Sequence, residues 1–297
     1  MDEMEKIVIT DEKRKLLGSL TILSESDDDL PILTSYVEIT RHLGEIYQWY
    51  GIFNYNTTVI KSLFPDGDLY AINSHTIMLL SAGKTIIDEI EHCLENSFCN
   101  DHKQVDDFLN NHIRKEYDGN YSYRLLYRLR NFCQHGHIPV SRHHQYPCFD
   151  LSQIYYTPYY SFNKTLQKES QKLIDDVAQI TGNNLSLSYI FTVSSYLCSI
   201  YRIYKSFLKT IHPILCKKTD DVKWLINRRP QLIHHKGHPE LDGFIFYEIS
   251  ASDKNLHSFS TQDDPTIEHT RQLNDCTDQL KEEASFYKRM HTNWTPI

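Results

Sequence analysis

Residues 128–144, RLRNFCQHGHIPVSRHH, concentrate arginine and histidine in a chain whose formal net charge is -8. No aspartate or glutamate lies between Asp118 and Asp150. The cationic and titratable side chains of this acid-free stretch are Arg124, Arg128, Arg130, Arg142, His135, His137, His143 and His144. Guanidinium groups bind phosphate oxygens in bidentate geometry, and imidazole gains or loses a proton near neutral pH. These residue types therefore predict a surface that faces phosphate.

The first half of this stretch has the most regular helical pattern in the sequence. Its apolar residues form one stripe, made of Leu125, Leu126, Leu129, Phe132 and Cys133. One flank of the polar side carries Arg124, Arg128, Asn131 and His135, and the other carries Arg130 and Gln134 beside Tyr123 and Tyr127. Gly136 is placed to end the helix, and Pro139 prevents its continuation. Spacing alone also fits a solvated helix face, in which His135 caps the last carbonyl groups.

The segment RLRNFCQH resembles the signature of the HEPN superfamily (higher eukaryotes and prokaryotes nucleotide-binding domain). That signature is an arginine followed by a polar residue, often asparagine, and then a histidine four to six residues after the arginine. Arg130, Asn131 and His135 match these positions. The resemblance implies an all-helical bundle over residues 35–217. It also implies a metal-independent ribonuclease of the toxin, abortive-infection or antiviral-defence type, with an active site where two motifs meet across a dimer.

The chemistry of RNA cleavage fits these residue types on independent grounds. When the 2′-hydroxyl attacks its own phosphate, the reaction needs a base, an acid and positive charge on the phosphoryl oxygens. Arginine supplies charge but no base, because it does not deprotonate. On a continuous helix, Arg130 and His135 point about 140° apart. In one copy of the motif, the two side chains therefore point away from each other unless the helix unwinds before His135. Two copies that face each other would supply two arginines and two histidines around one phosphate. The sequence thus predicts a symmetric homodimer.

The predicted site follows from these two arguments. The expected catalytic residues are Arg130, Asn131 and His135, with RNA as the substrate and without metal or cofactor. The expected substrate-binding residues are Arg124, Arg128, Gln134, His137 and Arg142. An antitoxin or a sensor protein is a further expected partner. The alternative is a non-catalytic helical dimer that binds RNA, nucleotide or a protein and keeps the motif for structure.

Composition predicts a cytoplasmic protein. The seven cysteines form no Cys-x-x-Cys pair, which favours reduced thiols, and the charged start MDEMEKIVIT lacks the apolar region of a secretory signal. Residues 185–201 carry no charge but are rich in serine and tyrosine, so we expect a buried helix there rather than a membrane span.

The fold class expected is mainly α. It consists of a small mixed N-terminal extension at 1–34, a HEPN-like helical domain at 35–217 and an accessory C-terminal α/β extension at 218–297. Strands are expected only near the two ends and at 148–156. The predicted helices cover residues 34–50, 51–64, 75–98, 121–135, 163–181, 186–216 and 266–290. A further helix is predicted after Asp101, which can cap it, with Val105, Phe108, Leu109 and Ile113 on one face.

Other candidate sites carry weaker signals. His234, His235, His238 and Glu240, or the four histidines of the basic stretch, could ligate a metal, but neither set has the spacing of a known metal motif. The sequence SAGKT at 81–85 resembles part of a phosphate-binding loop but lies within a helical pattern. Asp88 and Glu91 are candidates for orienting Arg130. A second Arg-x4-His, from Arg229 to His234, is interrupted by Pro230 and has no apolar stripe around it.

Overall fold

A computed structural model describes residues 7–8, 29–97, 102–143, 146–152, 168, 171–172, 175, 186–228, 244–248, 255–260 and 264–293. The chain divides into two compact units. The smaller unit comprises Met1–Gly44 and Leu208–Gln272, and the larger unit comprises Glu45–Phe207 and Leu273–Ile297. The whole basic stretch belongs to the larger unit. The boundaries predicted at residues 34 and 217 fall inside helices, and the helix predicted at 163–181 lies largely outside the described residues.

The described part of the chain is mainly α-helical, as the sequence predicts. Its helices are α1 Leu30–Leu63, α2 Leu69–Ser97, α3 His102–Phe108, α4 Lys115–Gly119, α5 Tyr121–Gln134, α6 Tyr189–Arg228 and α7 Pro265–Asn293, with a π-helical segment Leu109–Arg114 between α3 and α4. The strands are β1 Ile7–Val8, β2 Ser141–His143, β3 Tyr146–Asp150, β4 Ser186–Ser188, β5 Phe244–Glu248 and β6 Asn255–Ser260. Strands β2 and β4 lie outside the regions where strands were predicted.

Helix α1 runs without a break through Gly51, so the helix end predicted near residue 50 is wrong. The residues on its inner side keep helical spacing across this position, with Ile46, Tyr50, Phe53 and Ile60 all buried. A glycine costs the helix about 1 kcal/mol relative to alanine. The continuous buried face outweighs that cost.

Helices α2 and α5 pack against each other in antiparallel orientation. Asn73, near the start of α2, contacts Val140 beyond the end of α5, while Lys84, further along α2, lies over the ring of Tyr127 in the middle of α5. The predicted apolar stripe of α5 is buried, and α2 buries a stripe of its own at Leu79, Ile86, Ile87, Ile90 and Leu94. Burial of these two stripes fixes the rotation of α5, and its polar side therefore faces outwards.

A small antiparallel sheet follows α5 in the order β2-β3-β4. Strands β2 and β3 form a hairpin with Ser141 opposite Cys148, Arg142 opposite Pro147 and His143 opposite Tyr146. Strand β4 pairs with β3 immediately before α6 begins. This sheet therefore connects the end of α5 to the start of α6.

The smaller unit contains a second antiparallel sheet, in the order β1-β6-β5. Its helical part has a core in which Tyr36, Val37 and Val222 are buried. His269 is fully buried there, and its ring stacks on that of His212 with centroids 5.3 Å apart. The Nε2 atom of His269 lies 2.9 Å from the carbonyl oxygen of Leu208, so this nitrogen donates the hydrogen bond. Burial lowers the pKa of His269, and His212 contributes to the shift.

Candidate active site at the end of helix α5

The three motif residues lie at the C-terminal end of α5. Arg130 and Asn131 belong to its last turn, and His135 is the C-cap, with φ -90° and ψ 18°. The N–H group of His135 bonds to the carbonyl of Phe132, three residues back, and Gly136 has the left-handed φ of 84°. The helix therefore ends at the position that was predicted from Gly136. Because it unwinds at His135, whose side chain is exposed, the 140° separation expected for a continuous helix does not apply to this residue.

Arg130 is half-buried and is held by neutral groups. Its Nη1 donates to Oε1 of Gln134 at 2.7 Å and to Oδ1 of Asn131 at 3.4 Å. Its Nε is shielded from solvent and has no hydrogen-bond partner among the described residues. Within the same set of residues, Arg130 forms no ion pair with a carboxylate. Asn131 and Gln134 are thus brought together around a guanidinium whose charge these neutral neighbours do not neutralise.

Arg124 and Arg128 turn back towards α4. Arg128 donates from Nε to the Tyr117 hydroxyl at 2.8 Å, and its guanidinium lies over the Tyr117 ring at 5.7 Å. Arg124 reaches the carbonyl oxygens of Tyr117 and Asp118, each at 3.5 Å. These two arginines therefore extend the cationic surface towards α4.

The loop after α5 is fixed to α2 by a buried asparagine. The Asn73 side chain donates to the carbonyl of Val140 and accepts from its N–H, with both distances 2.9 Å. The His137 ring stacks on Phe132 with centroids 4.5 Å apart. Arg142, in β2, donates to the carbonyl of Gly67 at 2.5 Å. The segment that carries His135 and His137 is therefore held at both of its ends.

The N-terminal end of α5 is anchored to α6 by a polar network. Asn120 is the N-cap, and its Oδ1 accepts from the N–H groups of Ser122 and Tyr123. Its Nδ2 donates to the Ser199 hydroxyl at 2.8 Å, and Ser199 in turn donates to Glu116 at 2.6 Å. An N-cap of this type contributes about 1 kcal/mol to stability. The position of α5 is thus set at both ends by side-chain bonds.

An ion pair completes this network. Arg202 binds both carboxylate oxygens of Glu116, at 2.5 and 2.7 Å. Burial alone would raise the pKa of Glu116, but the hydrogen bonds from Arg202 and Ser199 outweigh it and hold the pKa below its usual value. Arg202 therefore has a carboxylate partner in the folded chain, whereas Arg130 is bonded to carboxamides. This difference separates a structural arginine from a candidate for binding an external anion.

The other candidates of the sequence do not form sites in the described residues. Asp88, considered as an orienting group for Arg130, is paired with Lys84. Gly83 of the SAGKT segment lies inside α2, and a Cβ added there would be 2.2 Å from the Tyr196 hydroxyl. This glycine therefore allows Tyr196 to approach α2, and the interpretation as a phosphate loop is wrong.

The two histidine sets that were considered as metal ligands lie partly or wholly outside the described residues. His144 and residues 234–240 lie outside the described residues. The histidines of the basic stretch that the structure does describe are not gathered with two further ligand-type side chains at one point.

Sequence reasoning missed the residues that position the site. Asn120 could have been found, because an asparagine directly before an amphipathic helix is an N-cap signal. Glu116, Ser199 and Asn73 act through partners distant in sequence, so no local pattern identifies them. Asn73 differs from the other two in being a polar residue on the buried side of α2, among apolar residues.

Comparison with known protein families, with curated proteins and with solved structures finds no match for this chain. Among the helices described here, none combines the length and the apolar character needed to cross a bilayer.

Proposed function

We propose that this chain is a metal-independent endoribonuclease that cleaves RNA through Arg130, Asn131 and His135. The observation that carries the proposal is the environment of Arg130. Its guanidinium is oriented by Gln134 and Asn131 and has no carboxylate partner among the described residues. A half-buried, uncompensated guanidinium stabilises an anion more strongly than one in water does. A scaffold role would instead be served by a carboxylate partner, such as Glu116 provides for Arg202.

Each motif residue has a distinct part in the proposed reaction. The 2′-hydroxyl oxygen attacks the adjacent phosphorus while the bond to the 5′-oxygen breaks, which leaves a 2′,3′-cyclic phosphate and a 5′-hydroxyl. Arg130 stabilises the charge that develops on the phosphoryl oxygens. His135, exposed at the helix end, transfers a proton. Asn131 positions groups by hydrogen bonds. The RNA on either side of the scissile phosphate is bound by Arg124, Arg128, Gln134, His137 and Arg142.

We propose that two copies of the chain form the complete site. The reaction removes one proton and delivers another, and one His135 cannot serve as base and acid in the same step. A symmetric homodimer that brings two α5 ends together supplies a second histidine and a second Arg130 around one phosphate. Light scattering should report a dimer at the concentrations where the chain is active, and full activity of a monomer would contradict this arrangement.

The proposed setting is a bacterial toxin or antiphage defence system, with an antitoxin or a sensor protein as partner. Ribonuclease activity of this kind is useful to a cell only when it is restrained, which is the reason to expect such a partner. The described cysteines are all free thiols, a state that the reducing cytoplasm preserves. Both points fit an effector that acts on RNA in the cytoplasm.

The test is cleavage of RNA in the presence of EDTA, with analysis of the product ends. The wild type should yield 2′,3′-cyclic phosphate ends, and His135→Ala should abolish cleavage. Because His135 is exposed, truncation opens no cavity, so the variant should keep the wild-type melting temperature. Asn131→Ala should retain part of the activity. RNA binding without cleavage, by wild type and His135→Ala alike, would support the non-catalytic alternative instead.

A further inference from the structure

Two helical segments of the larger unit, residues 46–60 of α1 and 69–83 of α2, contain no lysine, arginine, aspartate or glutamate. At the chain's overall frequency of 24%, segments of this combined length would hold about seven such side chains. Burial alone does not explain the difference, because both segments have exposed positions, which are Gln48, Gly51, Ile52, Tyr55, Thr58, Tyr70, Ser74 and Met78. The solvent side of a surface helix ordinarily carries charged as well as polar residues. This side of the two helices therefore differs from an ordinary solvated surface.

Contacts between the two helices join some of these side chains into one patch. The Tyr55 ring lies edge-on to the His75 ring, with centroids 6.4 Å apart. His75 is held in place by its Nδ1, which donates to Oδ1 of the buried Asn56 at 2.8 Å. Ile52 is three residues from Tyr55 on α1, and Met78 is three residues from His75 on α2, so each pair shares one side of its helix.

The antiparallel course of α1 and α2 makes the patch continuous. Carboxylate oxygens of Glu45 and Glu89 lie within 4.8 Å of each other, whereas the ring contact lies nearer the turn that connects the helices. Ile52 and Met78, each one turn further from that connection than the rings, are therefore level with each other. Ile52 is 37% exposed and Met78 44%. Aromatic and methionine side chains without charge, beside a charged edge at Glu45 and Glu89, are typical of a protein–protein interface.

The patch borders the helix that carries the motif. His75 of α2 faces α1, and Lys84 of α2 lies over the ring of Tyr127 in α5. Nine residues separate His75 from Lys84, which amounts to a net rotation of about 180° around α2. Helices α1 and α5 therefore flank α2 on opposite sides, and the exposed ridge of α2 at Ser74 and Met78 lies between them.

We infer that the charge-free face, formed by Ile52, Tyr55, Ser74, His75 and Met78, is the surface through which two copies of this chain form the proposed homodimer. The inference rests on the proposed function for the need for a second copy. In a symmetric dimer the same patch meets itself, so every charge within it would meet the same charge. The chain has a formal net charge of -8, which opposes association of two copies through a charged surface.

The charge-free face avoids this repulsion, and it offers no cation or anion with which to select a charged partner of another kind. A second copy is therefore the occupant that its chemistry favours. A two-fold axis perpendicular to α2 stacks α2 on α2 and α5 on α5. The ends of both α5 helices then belong to one interface, as the proposed site requires.

The experiment places a charge on the face and measures dimerisation by analytical ultracentrifugation. Ile52→Glu and Met78→Glu should each weaken dimerisation at least about 100-fold, because each variant dimer would hold two like charges in a desolvated contact. Both positions are exposed in the single chain, so the circular dichroism spectrum should stay that of the wild type. The matched control is Ile267→Glu, which adds the same charge at a position that is 71% exposed on α7 and should dimerise like the wild type.

A charge of the opposite sign tests whether the face meets itself. Met78→Lys alone should be monomeric like Met78→Glu, whereas an equimolar mixture of the two should form a heterodimer, because attraction replaces repulsion. A mixture that stays monomeric would show that the face does not meet its own copy. That result would overturn the inference, as would glutamate variants that dimerise as tightly as Ile267→Glu, or a wild type that is monomeric at every concentration tested.

The two proposals fail in distinguishable ways. A wild-type dimer that Met78→Glu dissociates, without any cleavage of RNA, removes the ribonuclease and leaves the interface. Cleavage of RNA by the wild type, with Met78→Glu still dimeric, removes this interface and leaves the ribonuclease.

Discussion

The contact between Asn73 and Val140 predicts a large loss of stability when the asparagine is truncated. In Asn73→Ala, the N–H and the carbonyl of Val140 both lose their partner, and Val140 is only 3% exposed. Each unsatisfied buried backbone group costs about 1–3 kcal/mol. Partial relaxation of the loop leaves an expected loss of about 3 kcal/mol in the free energy of unfolding, which for a unit of this size lowers the melting temperature by about 6–12 °C.

Urea unfolding followed by fluorescence measures this change, with Ser74→Ala as the control. Ser74 is exposed at the next position of α2, so its truncation should alter the free energy of unfolding by less than about 0.5 kcal/mol. Asn73→Ala should also reduce RNA cleavage, because the loop after His135 loses its anchor. A variant within about 0.5 kcal/mol of the wild type would show that this contact does not hold the loop.

The pH dependence of Asn73→Asp tests the geometry of the same contact. The new carboxylate would accept from the Val140 N–H but repel its carbonyl oxygen, whereas the protonated acid would donate to that oxygen. Burial and this repulsion raise the pKa of the carboxyl in the folded state. The stability gap to the wild type should therefore be largest at neutral pH and shrink as the pH falls. A gap that stays constant between pH 7.5 and 5 would contradict the assigned hydrogen bonds.

Two glycines, a histidine and a cysteine give three further predictions. Gly83→Ala should destabilise the chain by about 1–3 kcal/mol, because the new Cβ would meet the Tyr196 hydroxyl. Gly51→Ala has open space around the new Cβ and should stabilise α1 by up to about 1 kcal/mol. Chemical denaturation of both variants measures these changes in the free energy of unfolding. Burial lowers the pKa of His269, so as the pH falls this histidine is protonated in the unfolded chain before it is protonated in the folded chain. The contribution of His269 to stability should therefore be constant above pH 6.5 and should decrease as the pH falls below 6.5. NMR titration should give a pKa below 6.5 for His269 in the folded chain. Burial raises the pKa of the Cys133 thiol to about 12, so iodoacetamide should label Cys133 only in denaturant, and rapid labelling of the native chain would contradict its burial.

The helical part of the fold could be predicted because its signals are local. The apolar stripe of α5 and the glycine after it lie within residues 125–136. In the structure the stripe is buried, and the helix ends just before Gly136. The break predicted near residue 50 was wrong because the buried face of α1 continues across this position, from Tyr50 to Phe53. Strands β2 and β4 were missed because each has only three residues, too few for a periodic pattern.

The groups that position the candidate site could not be predicted, because they depend on contacts between distant residues. Asn73 meets Val140 across 67 positions, and Arg202 meets Glu116 across 86. The sequence pattern also placed Arg124 and Arg128 on an open flank, yet both bond to groups of Tyr117. Their direction depends on where α4 lies, and helical periodicity carries no information about that.

The most direct test of the central claim is the rate of RNA cleavage in EDTA by Arg130→Gln. Glutamine removes the positive charge but keeps a hydrogen-bond donor, and circular dichroism and melting temperature should match those of the wild type. Stabilisation of transition-state charge by one such group accounts for about 10²–10³ in rate. We predict that the wild type cleaves single-stranded RNA in EDTA and that Arg130→Gln is at least about 100-fold slower. Equal rates for the two proteins, or a wild type that EDTA inactivates, would contradict a metal-independent site built on Arg130.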